Sequence, residues 1–141
     1  MTSVKKRIAA VLAAGASVAG LAVVAAPAAS AAPTAAAASY NGACGSGYTV
    51  VNSAAVGTSG TIFLTYSSAT GDNCVVTVRN APGATINMYA GIAIHNGLIK
   101  YDNGQYTTYA GPVYLSAAGK CVDWIGVIGS DSGGKNGTNC G

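Results

Sequence analysis

The stretch Ile92-Ala93-Ile94-His95-Asn96-Gly97-Leu98-Ile99-Lys100-Tyr101 decides how the chain is read. Asn-Gly supplies the two residues that accept positive φ in a type I′ turn, which reverses a strand within two residues. With His95 set opposite Leu98, Ile94 faces Ile99 and Ile92 faces Tyr101, so one side of the ribbon is apolar. Ala93, His95, Leu98 and Lys100 then share the other side. The spacing predicts a hairpin with one face for a core and one for solvent.

The same turn chemistry recurs at Asn103-Gly104, which would pair Asp102 with Gln105 and Tyr101 with Tyr106 and extend the hairpin into a three-stranded meander. Upstream, Tyr48–Asn52 and Thr61–Tyr66 are rich in β-branched and aromatic residues, with Gly57 and Gly60 between them, and read as a further hairpin. The run Cys74–Arg79, entered through Thr70-Gly71-Asp72-Asn73, should return beside the second of these strands. Pro82-Gly83 ends that unit, and a new segment starts at Thr85.

Downstream, Val113-Tyr114-Leu115 and Cys121–Ile128 are joined by Ala117-Ala118-Gly119 and read as another hairpin. Alternation puts Val122, Trp124 and Ile128 on one face and Cys121, Asp123, Ile125 and Val127 on the other, so a strand apolar on both sides is expected to be central. The Gly-, Ser- and Asn-rich tail Gly129–Gly141 reads as an irregular loop. No helical period competes beyond the first residues. The expected fold is all-β, a small antiparallel sandwich or barrel built from consecutive hairpins.

Lys5, Lys6 and Arg7 precede an uncharged run from Ile8 to Ala26, followed by the small-x-small triplets Ala29-Ser30-Ala31 and Ala36-Ala37-Ala38. This is the order of an export signal, with cleavage expected after Ala31 or Ala38. The run is mostly alanine, broken by Gly15, Ser17 and Gly20, and ends at Pro27, so cleavage is favoured over a retained anchor. The expected organisation is a signal peptide over 1–31, an Ala-rich linker over 32–39 and one β domain over 40–141. Without the leader, Arg79, Lys100, Lys120 and Lys135 face Asp72, Asp102, Asp123 and Asp131. Scattered, balanced charge of this kind lacks the clustered cations that replace phosphate counterions, so nucleic acid is excluded as a partner, and no stable membrane insertion is expected after cleavage.

Cys44, Cys74, Cys121 and Cys140 follow the leader, where an oxidising compartment favours disulfides. Sequence neighbours favour Cys44 with Cys74 and Cys121 with Cys140, two other connectivities being open. A zinc site is disfavoured because no Cys-x-x-Cys pair exists and the single histidine, His95, is distant in sequence from each cysteine. No metal or cofactor is expected.

Catalytic groups are scarce. His95 reads as an exposed residue flanking a turn, without the oriented partner that a general base needs. There is no glutamate, and Asp72, Asp102 and Asp131 suffice as turn or loop residues, so paired-carboxylate glycoside hydrolysis lacks its groups. The possible binding residues are three. Trp124 beside Asp123 offers a sugar-stacking ring next to a hydroxyl acceptor, although a large aromatic more often goes to the core. Tyr109, one of eight tyrosines, would join neighbours on the Leu98 face in a nearly uncharged patch suited to polymers or to copies of the same chain.

Tyr40-Asn41-Gly42-Ala43-Cys44-Gly45-Ser46-Gly47-Tyr48, Asn73-Cys74-Val75-Val76-Thr77-Val78-Arg79 and Tyr109-Ala110-Gly111-Pro112-Val113-Tyr114-Leu115 with Gly119-Lys120-Cys121-Val122 carry a resemblance. In these blocks the chain resembles the spore-associated protein A group of small secreted streptomycete proteins. The resemblance implies secretion and association with the spore or aerial cell surface, and it brings no catalytic residues. The expected function is that of a non-enzymatic surface protein, structural or adhesive, whose partners are cell-envelope or spore-surface components or further copies of itself. The alternative is a secreted binding module: a carbohydrate binder using Trp124, or an inhibitor of an extracellular hydrolase presenting the loop Asn80–Ala84 or the tip at Asn103-Gly104.

Overall fold

In a computed structural model of the protein, the described residues are 26, 28–31 and 35–141. Most of the expected leader, including Lys5, Lys6, Arg7 and the apolar run to residue 25, lies outside the described residues. The chain divides into two units, Met1–Ala32 and Pro33–Gly141, and the eight described strands belong to the second. They are β1 (Thr49–Val56), β2 (Gly60–Ser67), β3 (Asp72–Arg79), β4 (Ile86–Ile94), β5 (Lys100–Tyr106), β6 (Tyr109–Ser116), β7 (Val122–Ile128) and β8 (Asp131–Thr138). Two four-stranded antiparallel sheets, ordered β1-β2-β3-β6 and β5-β4-β7-β8, make a sandwich. Among the described residues no helix is long and apolar enough to cross a membrane.

Alternation along each strand sends one set of side chains into the space between the sheets. Ile62, Leu64 and Val75 enter from the first sheet and meet Met88, Ile92 and Trp124 from the second, all essentially without solvent contact. The first three strands follow the sequence closely: β1 and β2 form a hairpin, and β3 lies beside β2 with Leu64 opposite Val75. Strand β7 alternates as expected and sits between β4 and β8.

Four local expectations are corrected. The hairpin at Asn96-Gly97 has its register shifted by one, with Ile92 opposite Lys100 and Gly91 opposite Tyr101. Asn96 has positive φ (63°) but Gly97 does not, so the two-residue type I′ turn is absent. The His95 N–H donates instead to Cys121 O (2.9 Å), just before β7, and the Asn96 N–H to Asp123 Oδ2 (3.2 Å) on β7, so the turn's amides are tied toward β7.

Asn103 and Gly104 are not a turn but the middle of β5, opposite Tyr89 and Met88. Gly104 is needed there for room, because a Cβ would stand 2.9 Å from the Tyr106 hydroxyl, whose ring folds back to let it donate to Asp102 Oδ1 (2.7 Å). Strands β6 and β7 are not a hairpin either, since β6 pairs with β3 and the chain crosses between sheets after Ser116. Finally, the glycine-rich tail contains β8, an edge strand on β7. Gly133 and Gly134 lie where a Cβ would overlap Ala55 O and Trp124 O, so glycine here marks close backbone approach rather than a loop.

Candidate functional site

The two sheets differ on their outer faces. The first is covered by the segment from Tyr40 to Tyr48, tied down by the Cys44–Cys74 disulfide. The Tyr40 ring packs on Phe63 (centroids 5.8 Å) and Tyr48 meets Tyr114 edge-on (5.5 Å). The Tyr114 hydroxyl donates to Cys44 O (3.0 Å), and the Cys44 N–H donates to the Tyr40 hydroxyl (3.1 Å). Burial pushes the Tyr114 hydroxyl pKa up. Three of the eight tyrosines thus hold this segment against the sheet, although Tyr114 itself stays exposed.

Among the described residues, no such segment lies over the outer face of the second sheet. Strand β4 turns Asn87, Tyr89 and Gly91 outward, opposite Gln105, Asn103 and Tyr101 of β5. The Tyr89 and Tyr101 rings stack at 5.3 Å with 17° between their planes. Gly91 makes this possible, because a Cβ there would come within 2.6 Å of the Tyr89 ring and 2.8 Å of Ile99 Cδ1. Tyr101 remains 61% exposed, and Leu98, Ile99 and Ile125 are exposed around it. Burial, and next the neighbouring Tyr101, raise the Tyr89 hydroxyl pKa.

At the end of this face stands a polar clamp. Ala93 is opposite Asp123, which places His95, two residues on, beside the same carboxylate. His95 Nδ1 lies 2.7 Å from Asp123 Oδ1, an oxygen that also accepts from Gly137 N–H (2.7 Å), while Oδ2 accepts from Asn96 N–H. The carboxylate therefore joins the β4–β5 turn, β7 and β8. Donation from His95 holds the Asp123 pKa below the usual carboxylate range; partial burial opposes this, and the two backbone N–H groups add to it.

Because the folded value is the lower one, this stabilisation is fully present above the unfolded-chain pKa and is lost as pH falls through the folded value. The amide resonances of Gly137 and Asn96 are expected to titrate together, with a midpoint below that of a free aspartate. A midpoint at or above the free value would contradict the clamp, and Asp123→Asn should abolish the shared titration.

The other aspartates are similarly engaged. Asp131 accepts from Ser59 Oγ (2.6 Å), Asp72 from Ser116 Oγ, and Asp102 from the Tyr106 hydroxyl and Gly111 N–H (2.7 Å each). All four carboxylates hold turns or crossovers together. Among the described residues, no buried side-chain nitrogen or oxygen lacks a hydrogen-bond partner.

The residues singled out from sequence fall in three places. Trp124 is 1% exposed in the core, with Nε1 donating to Thr138 Oγ1 (2.8 Å), so its ring offers no face to a sugar. Its neighbour Asp123 has both oxygens occupied. Tyr109 lies on β6, opposite Val78 in the first sheet, and is not a neighbour of Leu98. It borders a separate depression of about 390 Å³ with Arg79, Pro82 and Asn41. The loop Asn80–Ala84 is braced by Arg79 Nη1, which donates to Ala84 O and Thr107 O.

The cysteines pair as the sequence favoured, Cys44 with Cys74 and Cys121 with Cys140. The outward row Asn87, Tyr89, Tyr101, Asn103 and Gln105 is not among the residues that the sequence singles out. Its signal was the period-two spacing of uncharged amides and rings on two adjacent segments, hidden by reading Asn103-Gly104 as a turn.

These features define a disulfide-braced all-β sandwich with the Tyr40–Tyr48 segment packed on one outer face and a stacked tyrosine pair on the other. Spore-associated protein A of Streptomyces coelicolor is 56% identical to this chain over 105 residues, a match spanning 74% of the chain and 68% of that protein. The chain belongs to the spore-associated protein A family. No family model matches the chain, and no solved structure matches it.

Proposed function

We propose that this is a secreted, non-enzymatic protein that associates with the spore or aerial cell surface and has a structural or adhesive role there. The observation that carries this reading is the 56% identity to a protein named for its association with spores. Two disulfides fit an oxidising location outside the cytosol. All four aspartates accept hydrogen bonds that hold turns and strands in place, a structural use that supports this reading. A rigid sandwich with one open face suits attachment.

The test is fractionation of native protein among washed spores, the mild wash and the culture medium, followed by immunolabelling of intact spores. Retention on washed spores is the expected result. Protein found only in the medium would overturn the proposal.

A further inference from the structure

We propose that the outer face of β4 and β5, where Tyr101 stacks on Tyr89 beside Asn87, Asn103 and Gln105, binds a neutral polysaccharide chain. This deepens the surface-associated reading and rests on it for where the polymer is met. A sugar ring has an apolar C–H face rimmed by hydroxyls, and it needs a flat apolar platform with neutral groups that both donate and accept. Tyr101 supplies the platform, stacked on the ring of Tyr89 (5.3 Å, 17° between planes) and so ordered before any ligand arrives. The amides of Asn87, Asn103 and Gln105 are exposed, and each carries two donors and an acceptor.

Register makes this face a track rather than a spot. Asn87 is opposite Gln105, Tyr89 opposite Asn103 and Gly91 opposite Tyr101, so successive rows lie ~6.7 Å apart along the strands. The same alternation removes charge: Lys100 and Asp102 flank Tyr101 but belong to the other side of β5, where Asp102 accepts from Gly111 N–H. The row carries neither an acid nor a base, which matches an uncharged polymer and fails a polyanion, whose binding needs clustered cations.

A second copy of the chain fits less well. Three rows on two strands cover of order 200 Å², against ~800 Å² per partner in a stable protein pair. Two such faces brought together would also bury amides against tyrosine rings without partners for all their N–H groups.

The test uses the disulfide-intact protein, incubated in parallel with insoluble chitin, cellulose and starch, with heparin resin as the polyanion, and with washed spores. Retention on at least one neutral glycan is expected, insensitive to salt. Tyr101→Ala should weaken it about tenfold, a loss of ~1.4 kcal/mol, while Tyr101→Trp should retain it. Asn103→Ala with Gln105→Ala should weaken it without altering thermal unfolding. Wild-type protein held by spores but by none of the three glycans would overturn this inference and leave the surface reading standing; failure to bind spores would overturn that reading instead. Retention only on heparin, or sedimentation as a dimer that Tyr101→Ala dissociates, would also overturn the glycan assignment.

Discussion

Replacing Trp124 with alanine is expected to lower the unfolding free energy by about 3–5 kcal/mol, the range for deleting a large buried aromatic. The indole is 1% exposed, packs among Ile92, Leu64 and other core residues between the sheets, and anchors β8 through its bond to Thr138 Oγ1. Trp124→Phe keeps most of the packing and forfeits that bond, so a smaller loss of ~1–2 kcal/mol is expected. Urea unfolding with both disulfides intact measures each variant. A surface ring kept for a ligand would give changes within ~0.5 kcal/mol on either substitution, and that result would contradict the core assignment.

The second large effect concerns the cross-link between Cys44 and Cys74. The two are separated by 30 residues, and the chain-entropy model assigns such a loop about 3–4 kcal/mol. Replacing both with alanine should therefore lower the melting midpoint by roughly 12–30 °C in a domain of this size. Part of the loss is local, since Cys44, within the Tyr40–Tyr48 segment, is buried against Cys74 and Val76 of β3. Limited proteolysis should cut first within residues 40–48 of the double variant. A midpoint within a few degrees of the parent would show that the tyrosine contacts alone hold the cover.

Where the chain could be read locally, the sequence was sufficient. Strands β1 to β3 are rich in β-branched residues with turns between them, so their order was legible, and β7 alternates cleanly, so its two faces were legible although its neighbours were not. Nearest-neighbour pairing of the cysteines was also sound. Two of the failures share one physical cause, which is that glycine serves space as well as turns. Gly104 makes room for the Tyr106 ring, and Gly133 and Gly134 for facing backbone, yet each looks like a loop residue in isolation.

The candidate site was harder still. The His95 partner is Asp123, 28 residues away on a strand that pairs with β4, and nothing near His95 in the sequence announces it. The stacked pair Tyr89–Tyr101 depends on a register one residue removed from the one that Asn96-Gly97 implied. A slip of one exchanges the two faces of a strand, so the open row could not be recognised until the turn was placed.

The Tyr40–Tyr48 segment packs on one outer face while the Tyr89–Tyr101 stack stands on the other, and this gives the molecule a fixed polarity on any support it grips through β4 and β5. Every attached copy would turn the same back outward, so a film of them would have distinct inner and outer chemistries. Alterations at Tyr101 would then govern whether copies stay, whereas alterations at Tyr40 or Tyr48 would govern what the surroundings touch.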